Sequence, residues 1–87
     1  MAHHASAKKR IRQQVKRHDR NRVILGNVRT RVKALRRAIE AEDKQEATAL
    51  LPEAVNWLNR AWSKGGLHQR NASRTISRLT HAVAKLA

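Results

Sequence analysis

Cysteine, tyrosine and phenylalanine are absent from this chain of 87 residues, and proline occurs only once. Without cysteine the chain has neither a disulfide framework nor a thiolate metal site, which fits a reducing compartment. Two tryptophans are the only large aromatic side chains, so the core must be mainly aliphatic. No apolar run approaches the length of a membrane span, and the N-terminus lacks the apolar stretch of a signal peptide. We therefore expect a single soluble domain, covering residues 1–87, in the cytoplasm.

Acidic residues are also scarce, and the charge is unevenly placed along the chain. Residues 1–37 carry thirteen Lys and Arg against one acid, residues 38–63 carry two bases against five acids, and residues 64–87 carry five bases and no acid. A net charge of +14 opposes compaction by self-repulsion, which implies a polyanionic partner. Because the cationic segments are separate, we expect that partner to be met along specific faces.

Helix-forming residues dominate the composition, and no stretch alternates polar and apolar residues with a period of two. This pattern predicts an all-α domain. We expect a three-helix bundle with helices over about residues 6–40, 44–63 and 68–86. At about 1.5 Å per residue the first helix would be roughly 50 Å long and the other two roughly 30 Å. About 20 Å of the first helix should therefore project beyond the bundle. Without a core to hold it, we expect this projection to fray until it meets its partner.

Capping residues set the bounds of the second helix. Asp43 is a good N-cap, and Glu46 follows it at the spacing of a capping box. Pro52 predicts a kink rather than a break, because the apolar period passes through it unshifted. The Lys-Gly-Gly sequence at 64–66 predicts the end of the helix, with glycine as a left-handed C-cap.

Apolar stripes predict the buried face of each helix. The stripe of the second helix contains Trp62, which we expect in the core, whereas Trp57 should lie at the edge of the bundle. The stripe of the first helix has a gap between Val15 and Leu25, so only its C-terminal half has an apolar face. The predicted stripes are Ile11, Val15, Leu25, Val28, Val32, Leu35 and Ile39 in the first helix, and Ala72, Ile76, Leu79, Val83 and Leu86 in the third.

The cations have the spacing expected of phosphate-binding surfaces. Lys and Arg placed in this way neutralise phosphates and release counterions, which gives salt-sensitive affinity. The projecting part of the first helix is basic nearly all round, through Lys8, Lys9, Arg10, Arg12, Lys16, Arg17, Arg20 and Arg22. The third helix has a one-sided basic ridge opposite its apolar stripe, formed by Arg70, Arg74, Arg78, His81 and Lys85.

Recognition of RNA by shape and backbone fits these long, evenly charged helices. A helix-turn-helix DNA reader needs a short recognition helix after a tight turn, and a stacking RNA module needs aromatic residues on strands. The chain has neither of these features. The alternative is a nucleoid-type protein that compacts duplex DNA. A membrane-surface helix is disfavoured, because the projection offers only Ile11 and Val15 for insertion.

No residue pattern indicates catalysis. Asp43 and Glu46 are explained by helix capping and by the helix dipole rather than by an acid/base pair. The histidines lack the spacing of a zinc site. We predict that the chain is not an enzyme and uses no catalytic residue, metal, cofactor or small-molecule substrate.

Short motifs along the whole chain resemble those of a known family. The matching residues are Ser6-Ala7-Lys8-Lys9-Arg10, Arg20-Asn21-Arg22, Val28-Arg29-Thr30, Lys33, Ala38-Ile39, Asp43-Lys44, Lys64-Gly65, Leu67-His68, Ala72, Arg74, Ser77-Arg78-Leu79 and Lys85-Leu86. In their order and spacing they are similar to the bacterial small-subunit ribosomal protein S20 family. The resemblance implies a three-helix protein of the 30S subunit that binds 16S rRNA early in assembly. It also implies a position between the 5′ domain and the long penultimate stem, beside other small-subunit components.

The resemblance and the charge pattern together define the predicted rRNA-binding set. The resemblance implies RNA contacts for nine residues, and the charge pattern adds further cations of the first and third helices. Lys33 of the first helix and Lys64 at the glycine turn complete the set. The set is Lys8, Lys9, Arg10, Arg12, Lys16, Arg17, Arg20, Asn21, Arg22, Arg29, Lys33, Lys64, His68, Arg70, Arg74, Arg78 and Lys85.

Overall fold

The computed structural model describes the backbone of residues 2–86 and the side chains of residues 5–86. Three helices account for nearly all of this part of the chain: α1 (Ala2–Glu40), α2 (Lys44–Ser63) and α3 (Gln69–Ala84). The all-α prediction is confirmed. α2 begins and ends where predicted, α1 begins four residues earlier than residue 6, and α3 ends two residues before residue 86.

The second helix lies at the centre of the packing. α2 packs extensively on α1 and less on α3, while α1 and α3 meet only marginally. Leu35 and Leu58 are the largest fully buried side chains, so the core is centred where α1 and α2 face each other. As expected from the composition, the buried side chains are aliphatic: Ile24, Val28, Val32, Leu35, Ala38, Ala47, Ala54, Leu58, Ala61, Ala72, Leu79 and Val83.

The predicted apolar stripe of α1 misses one core residue, Ile24. Ile24 is buried, whereas Ile11 and Val15 are 59% and 54% exposed. Ile24 was not in the predicted stripe, and Leu25, which was, is only half-buried. At about 100° per residue, Ile11 lies about 140° around the helix axis from Ile24. A stripe traced back from Leu25 to Val15 in steps of three and four therefore reaches positions that no longer lie on the inward face of α1. The prediction that only the C-terminal half of α1 has a buried face is confirmed.

The turn between α1 and α2 is a Schellman motif. The Asp43 N–H donates to the Ala38 carbonyl and the Glu42 N–H donates to the Ile39 carbonyl, both at 3.0 Å. Glu42 adopts the left-handed conformation that this motif requires, with φ of 56°. Asp43 then caps α2, because its Oδ1 accepts the Glu46 N–H at 3.1 Å. The predicted N-cap is confirmed.

The turn between α2 and α3 repeats the motif with glycine. The Gly66 N–H donates to the Ala61 carbonyl at 2.8 Å, and the Gly65 N–H donates to the Trp62 carbonyl at 3.0 Å. Gly65 has φ of 81°, so the predicted left-handed glycine cap is confirmed. The chain then enters α3 at His68, whose side chain caps the helix.

α2 continues through Pro52 without a break, and Pro52 lies on the exposed side of the helix. The kink stays a prediction. Proline has no N–H to donate to the Thr48 carbonyl. Thr48 and Pro52 are both exposed, so this carbonyl lies on the solvent side of the helix.

The prediction that Trp62 lies in the core is wrong. Trp62 is 44% exposed, while its neighbour Ala61 is fully buried. Adjacent helical positions lie about 100° apart, so the two cannot share one face. Ala61 faces the core and Trp62 faces outward. Trp57 is half-buried and packs against the edge of the core, as predicted.

Candidate nucleic-acid interface

The first helix projects beyond the bundle as a single exposed segment. Every residue from Ala5 to Arg20 is exposed, and the first half-buried residue is Asn21. We call residues 5–20 the overhang; its sixteen residues span about 24 Å. The predicted projection of about 20 Å is confirmed.

The overhang leaves the bundle at a defined junction with the turn between α2 and α3. The Arg20 guanidinium donates through Nη2 to the Lys64 carbonyl at 3.3 Å. The Asn21 side chain lies against Gly66, where an added Cβ would come within 3.7 Å of it. Arg20 thus bonds a carbonyl at the C-terminal end of α2, where the helix dipole favours a cation.

Cations cover more than half of the circumference of the overhang, which is less than the predicted basic surface nearly all round. At about 100° per residue, the seven Lys and Arg of the segment fall within an arc of about 200°, and the opposite side carries Ile11, Gln14 and His18. Asp19 is the one acid of the segment and lies 3.8 Å from His18 Nδ1, with both side chains exposed. Within residues 5–86 the other cations of the overhang pair with no carboxylate. Their charge is therefore available to an external anion.

Where α1 joins the bundle, its exposed side continues the cationic surface. Two shallow clefts follow each other along it, with volumes of about 360 and 560 Å³. Arg22, Arg29 and Lys33 of the predicted set line them. The second cleft adds two cations that the sequence reasoning missed. The full linings are His18, Asn21, Arg22, Leu25, Gly26 and Arg29 in the first, and Arg29, Val32, Lys33, Arg36, Arg37 and Glu40 in the second.

Arg36 and Arg37 carried a signal in the sequence. Arg36 lies seven residues after Arg29 and three after Lys33, which places it on the same side of α1. Both arginines are exposed. Their inclusion extends the cationic side of α1 to the end of the helix.

The ridge on α3 forms a second surface. Its five basic residues are all exposed, while Ala72, Leu79 and Val83 are buried against the bundle. The predicted orientation of α3 is therefore confirmed. Because α1 and α3 meet only marginally, the ridge and the cationic side of α1 remain separate surfaces. The ridge residues are Arg70, Arg74, Arg78, His81 and Lys85.

His68 and Lys64 lie in the turn that links these surfaces. His68 Nδ1 accepts the Arg70 N–H at 3.1 Å, which requires an unprotonated Nδ1. In this neutral form the ring's donor is its Nε2–H. His68 therefore caps α3 through Nδ1, and Nε2 is the atom available for donation to a phosphate. Lys64 is exposed while its carbonyl receives Arg20.

The structure places the seventeen predicted residues at the surface. All are exposed except Asn21, which is half-buried beside Gly66. Within the described part of the chain no three metal-ligating side chains come together. None of the described helices is long and apolar enough to cross a bilayer. What the arrangement offers chemically is a row of fixed positive charges on two surfaces.

Comparison with known proteins shows what the chain is similar to. The sequence profile of the family described as ribosomal protein S20 matches residues 2–84. Small ribosomal subunit protein bS20 of Pelobacter propionicus is 48% identical over 86 residues, which cover 99% of each chain. The protein of the same name from Oleidesulfovibrio alaskensis is 47% identical over 83 residues, or 95% of each chain. That from Geobacter sulfurreducens is 45% identical over 86 residues, or 99% of each chain.

Proposed function

This chain belongs to the ribosomal protein S20 family, and from that premise we propose that it is a structural component of the small ribosomal subunit that binds 16S rRNA. The family resemblance seen in the sequence is confirmed over nearly the full length. The proposed place of action is the ribosome in the cytoplasm. The proposed role is structural and involves no chemical step.

The observation that carries the proposal is the overhang. An isolated helix with cations over more than half of its circumference and no carboxylate partner for most of them is unfavourable by itself, because like charges repel. Phosphate backbones on several sides of the helix remove that repulsion and release counterions. The overhang therefore suits a position enclosed by folded RNA, where phosphates from different strands come close together.

The two surfaces support binding to two RNA segments. The cationic side of α1, with the overhang, faces one segment, and the α3 ridge faces another. Both are fixed to α2, which sets their separation. We propose that the seventeen predicted residues contact rRNA, with Arg36 and Arg37 added. We further propose, from the family resemblance, that the segments are the 5′ domain and the long penultimate stem. By neutralising both, the protein holds together strands that otherwise repel.

Competition binding tests this function. The full-length chain is bound to a labelled rRNA 5′-domain fragment and challenged with unlabelled duplex DNA or with the same fragment unlabelled. We expect the fragment to displace the label at a much lower nucleotide concentration than the DNA does. Equal displacement by both competitors contradicts the proposal and favours the nucleoid-type alternative.

A charge-matched pair of variants locates the contact. Arg17→Glu reverses a charge in the overhang, and Lys44→Glu reverses an exposed charge at the start of α2, outside the predicted set. Both variants change the net charge equally. We expect Arg17→Glu to weaken binding to the rRNA fragment and Lys44→Glu to leave it nearly unchanged. Equal weakening would show that affinity follows net charge rather than the overhang.

A further inference from the structure

A cluster of side chains on the outer side of α1 and α2 lies outside the predicted binding set. Arg31, Glu53, Asn56, Trp57 and Arg60 line a shallow cleft of about 210 Å³. Four of these residues come from α2, which belongs to the least basic segment of the chain. A charge-driven interface does not account for this cluster.

Trp57 lies against the guanidinium groups of two arginines. The guanidinium carbon of Arg60 lies 4.7 Å from the centre of the Trp57 ring, and that of Arg31 lies 5.8 Å from it. Both distances fall within the range of cation–π contacts. Trp57 is half-buried and packs against the core, so its ring has little freedom to turn. The Arg60 guanidinium is thus a planar group held on a rigid support while its residue stays exposed.

The charges of the cluster are mixed. Arg31 Nε lies 3.7 Å from Glu53 Oε2. Among the described residues Arg60 pairs with no carboxylate. A phosphate or an acidic peptide entering the cleft would place negative charge beside the Glu53 carboxylate. A nucleobase is neutral, stacks on a guanidinium plane and has donors and acceptors on its edge. The carboxylate of Glu53 and the amide of Asn56 supply matching groups at the rim of the cleft.

We propose that the Arg60–Trp57 pair is a stacking site for one unpaired nucleobase of RNA. The proposal rests on the proposed function, since it assumes that the partner is RNA. The base stacks on the outer face of the Arg60 guanidinium, with Asn56 and Glu53 meeting its edge. Such a site adds recognition of a single-stranded nucleotide to a protein whose other surfaces meet backbone.

Tryptophan fluorescence of the full-length protein reports on this site directly. In a Trp62→Phe background Trp57 is the only tryptophan, so a change in emission reports on the surroundings of Trp57. The probes are a five-nucleotide oligoadenylate and an abasic ribose-phosphate oligomer of the same length and charge. We expect the oligoadenylate to change the Trp57 emission with at least about fivefold higher affinity than the abasic oligomer. Equal affinity for the two would overturn the proposal and indicate phosphate binding alone.

Arg60→Lys tests whether the site needs the planar guanidinium group or only its positive charge. Lysine keeps the positive charge but cannot stack, so we expect the preference for the base-bearing oligomer to fall below about twofold. Lys44→Arg is the matched control, because it exchanges the same two side chains at an exposed position outside the predicted set, with no tryptophan beside it among the described cation–π contacts. It should keep the full preference. A preference that survives Arg60→Lys shows that Arg60 is not the stacking group and refutes the assignment.

Two further measurements separate this proposal from the proposed function and from a protein partner. Binding of the same variants to the rRNA 5′-domain fragment is followed in parallel, and loss of selectivity over DNA in the parent protein refutes the function whatever the oligoadenylate does. An oligoglutamate peptide is titrated into the Trp62→Phe protein. If that peptide changes the Trp57 emission as strongly as the oligoadenylate does, the site is an acidic-peptide site and the proposal is wrong.

Discussion

Two glycines of this chain separate the effect of backbone conformation from the effect of space. A Cβ added at Gly26 or at Gly65 meets no atom within 4 Å. Gly26 lies inside α1, where alanine is favoured over glycine, so Gly26→Ala should raise the free energy of unfolding by about 0.5–1 kcal/mol. Gly65 has φ of +81°, so Gly65→Ala should lower it by about 1 kcal/mol or more. Urea unfolding of the two variants and the parent protein measures both changes.

The two glycine variants serve as controls for each other. They make the same chemical change, and neither creates a steric clash. A stabilising effect at both positions would show that the turn after α2 relaxes away from the left-handed conformation. A destabilising effect at both would show that Gly26 permits a bend in α1 that alanine resists.

Single residues with local partners were the most predictable part of the chain. Asp43 and Gly65 act through atoms three to five positions away, so the sequence alone identified both caps. Trp62 was misplaced because the apolar pattern of α2 includes two adjacent positions at 61 and 62. Ala61 and Trp62 both fitted the apolar pattern, and only the packing decides which one faces inward.

The overhang is the element in which binding and folding are most clearly separable. Arg17 is exposed, and no side-chain hydrogen bond or ion pair holds it among the described residues, so Arg17→Ala should leave stability nearly unchanged. If Arg17 contacts a phosphate, the negative slope of log K against log salt concentration should become shallower by about one unit in this variant. Salt titrations of the affinity for the rRNA fragment measure that slope.

Lys44→Ala provides the control for the salt titration. It removes an equal charge from an exposed position outside the predicted set. Its slope should match that of the parent protein. A slope for Arg17→Ala that also matches the parent would mean that Arg17 touches no phosphate.

The length of α1 and its projection were predictable, but its rotation was not. Counting helical residues against the lengths of α2 and α3 was enough to reveal an overhang. The inward face required Ile24, which a heptad-like reading passes over in favour of Leu25. With no apolar residue from 16 to 22, the sequence offers nothing that fixes the phase of the helix across that gap. Docking against α2 fixes it instead.

The whole molecule carries a charge that its own acids offset poorly. Within residues 5–86 the close pairs of opposite groups are Arg31–Glu53, in which Arg31 is half-buried, and the exposed His18–Asp19, against a net charge of +14. Salt should therefore stabilise the free protein by screening self-repulsion. We expect the Tm to rise between 20 and 300 mM sodium chloride, with each 1 kcal/mol gained shifting it by about 4–8 °C. Thermal unfolding followed by circular dichroism measures this, and a falling Tm would show that surface ion pairs outweigh repulsion.

The two cationic surfaces and the arginine–tryptophan cluster differ in how far the sequence revealed them. The surfaces lie along single helices, so spacing alone placed their residues on common faces. The cluster joins Arg31 of α1 to Trp57 and Arg60 of α2. The cluster forms only because of how far the two antiparallel helices are shifted along each other. No sequence pattern within one helix encodes this shift.

Mutations in the overhang and mutations in the bundle should be subject to different selection in the cell. No side chain from Ala5 to Arg20 is buried in the bundle, so substitutions there should leave the protein folded. Proteases and chaperones that act on misfolded chains should then not remove it. A defective overhang would yield an abundant, well-folded protein that still competes for the remaining contacts of the ribosome. Mutations in the overhang should therefore be dominant-negative for subunit assembly. Mutations at Leu35 or Leu58 should be recessive, because the unfolded protein is degraded.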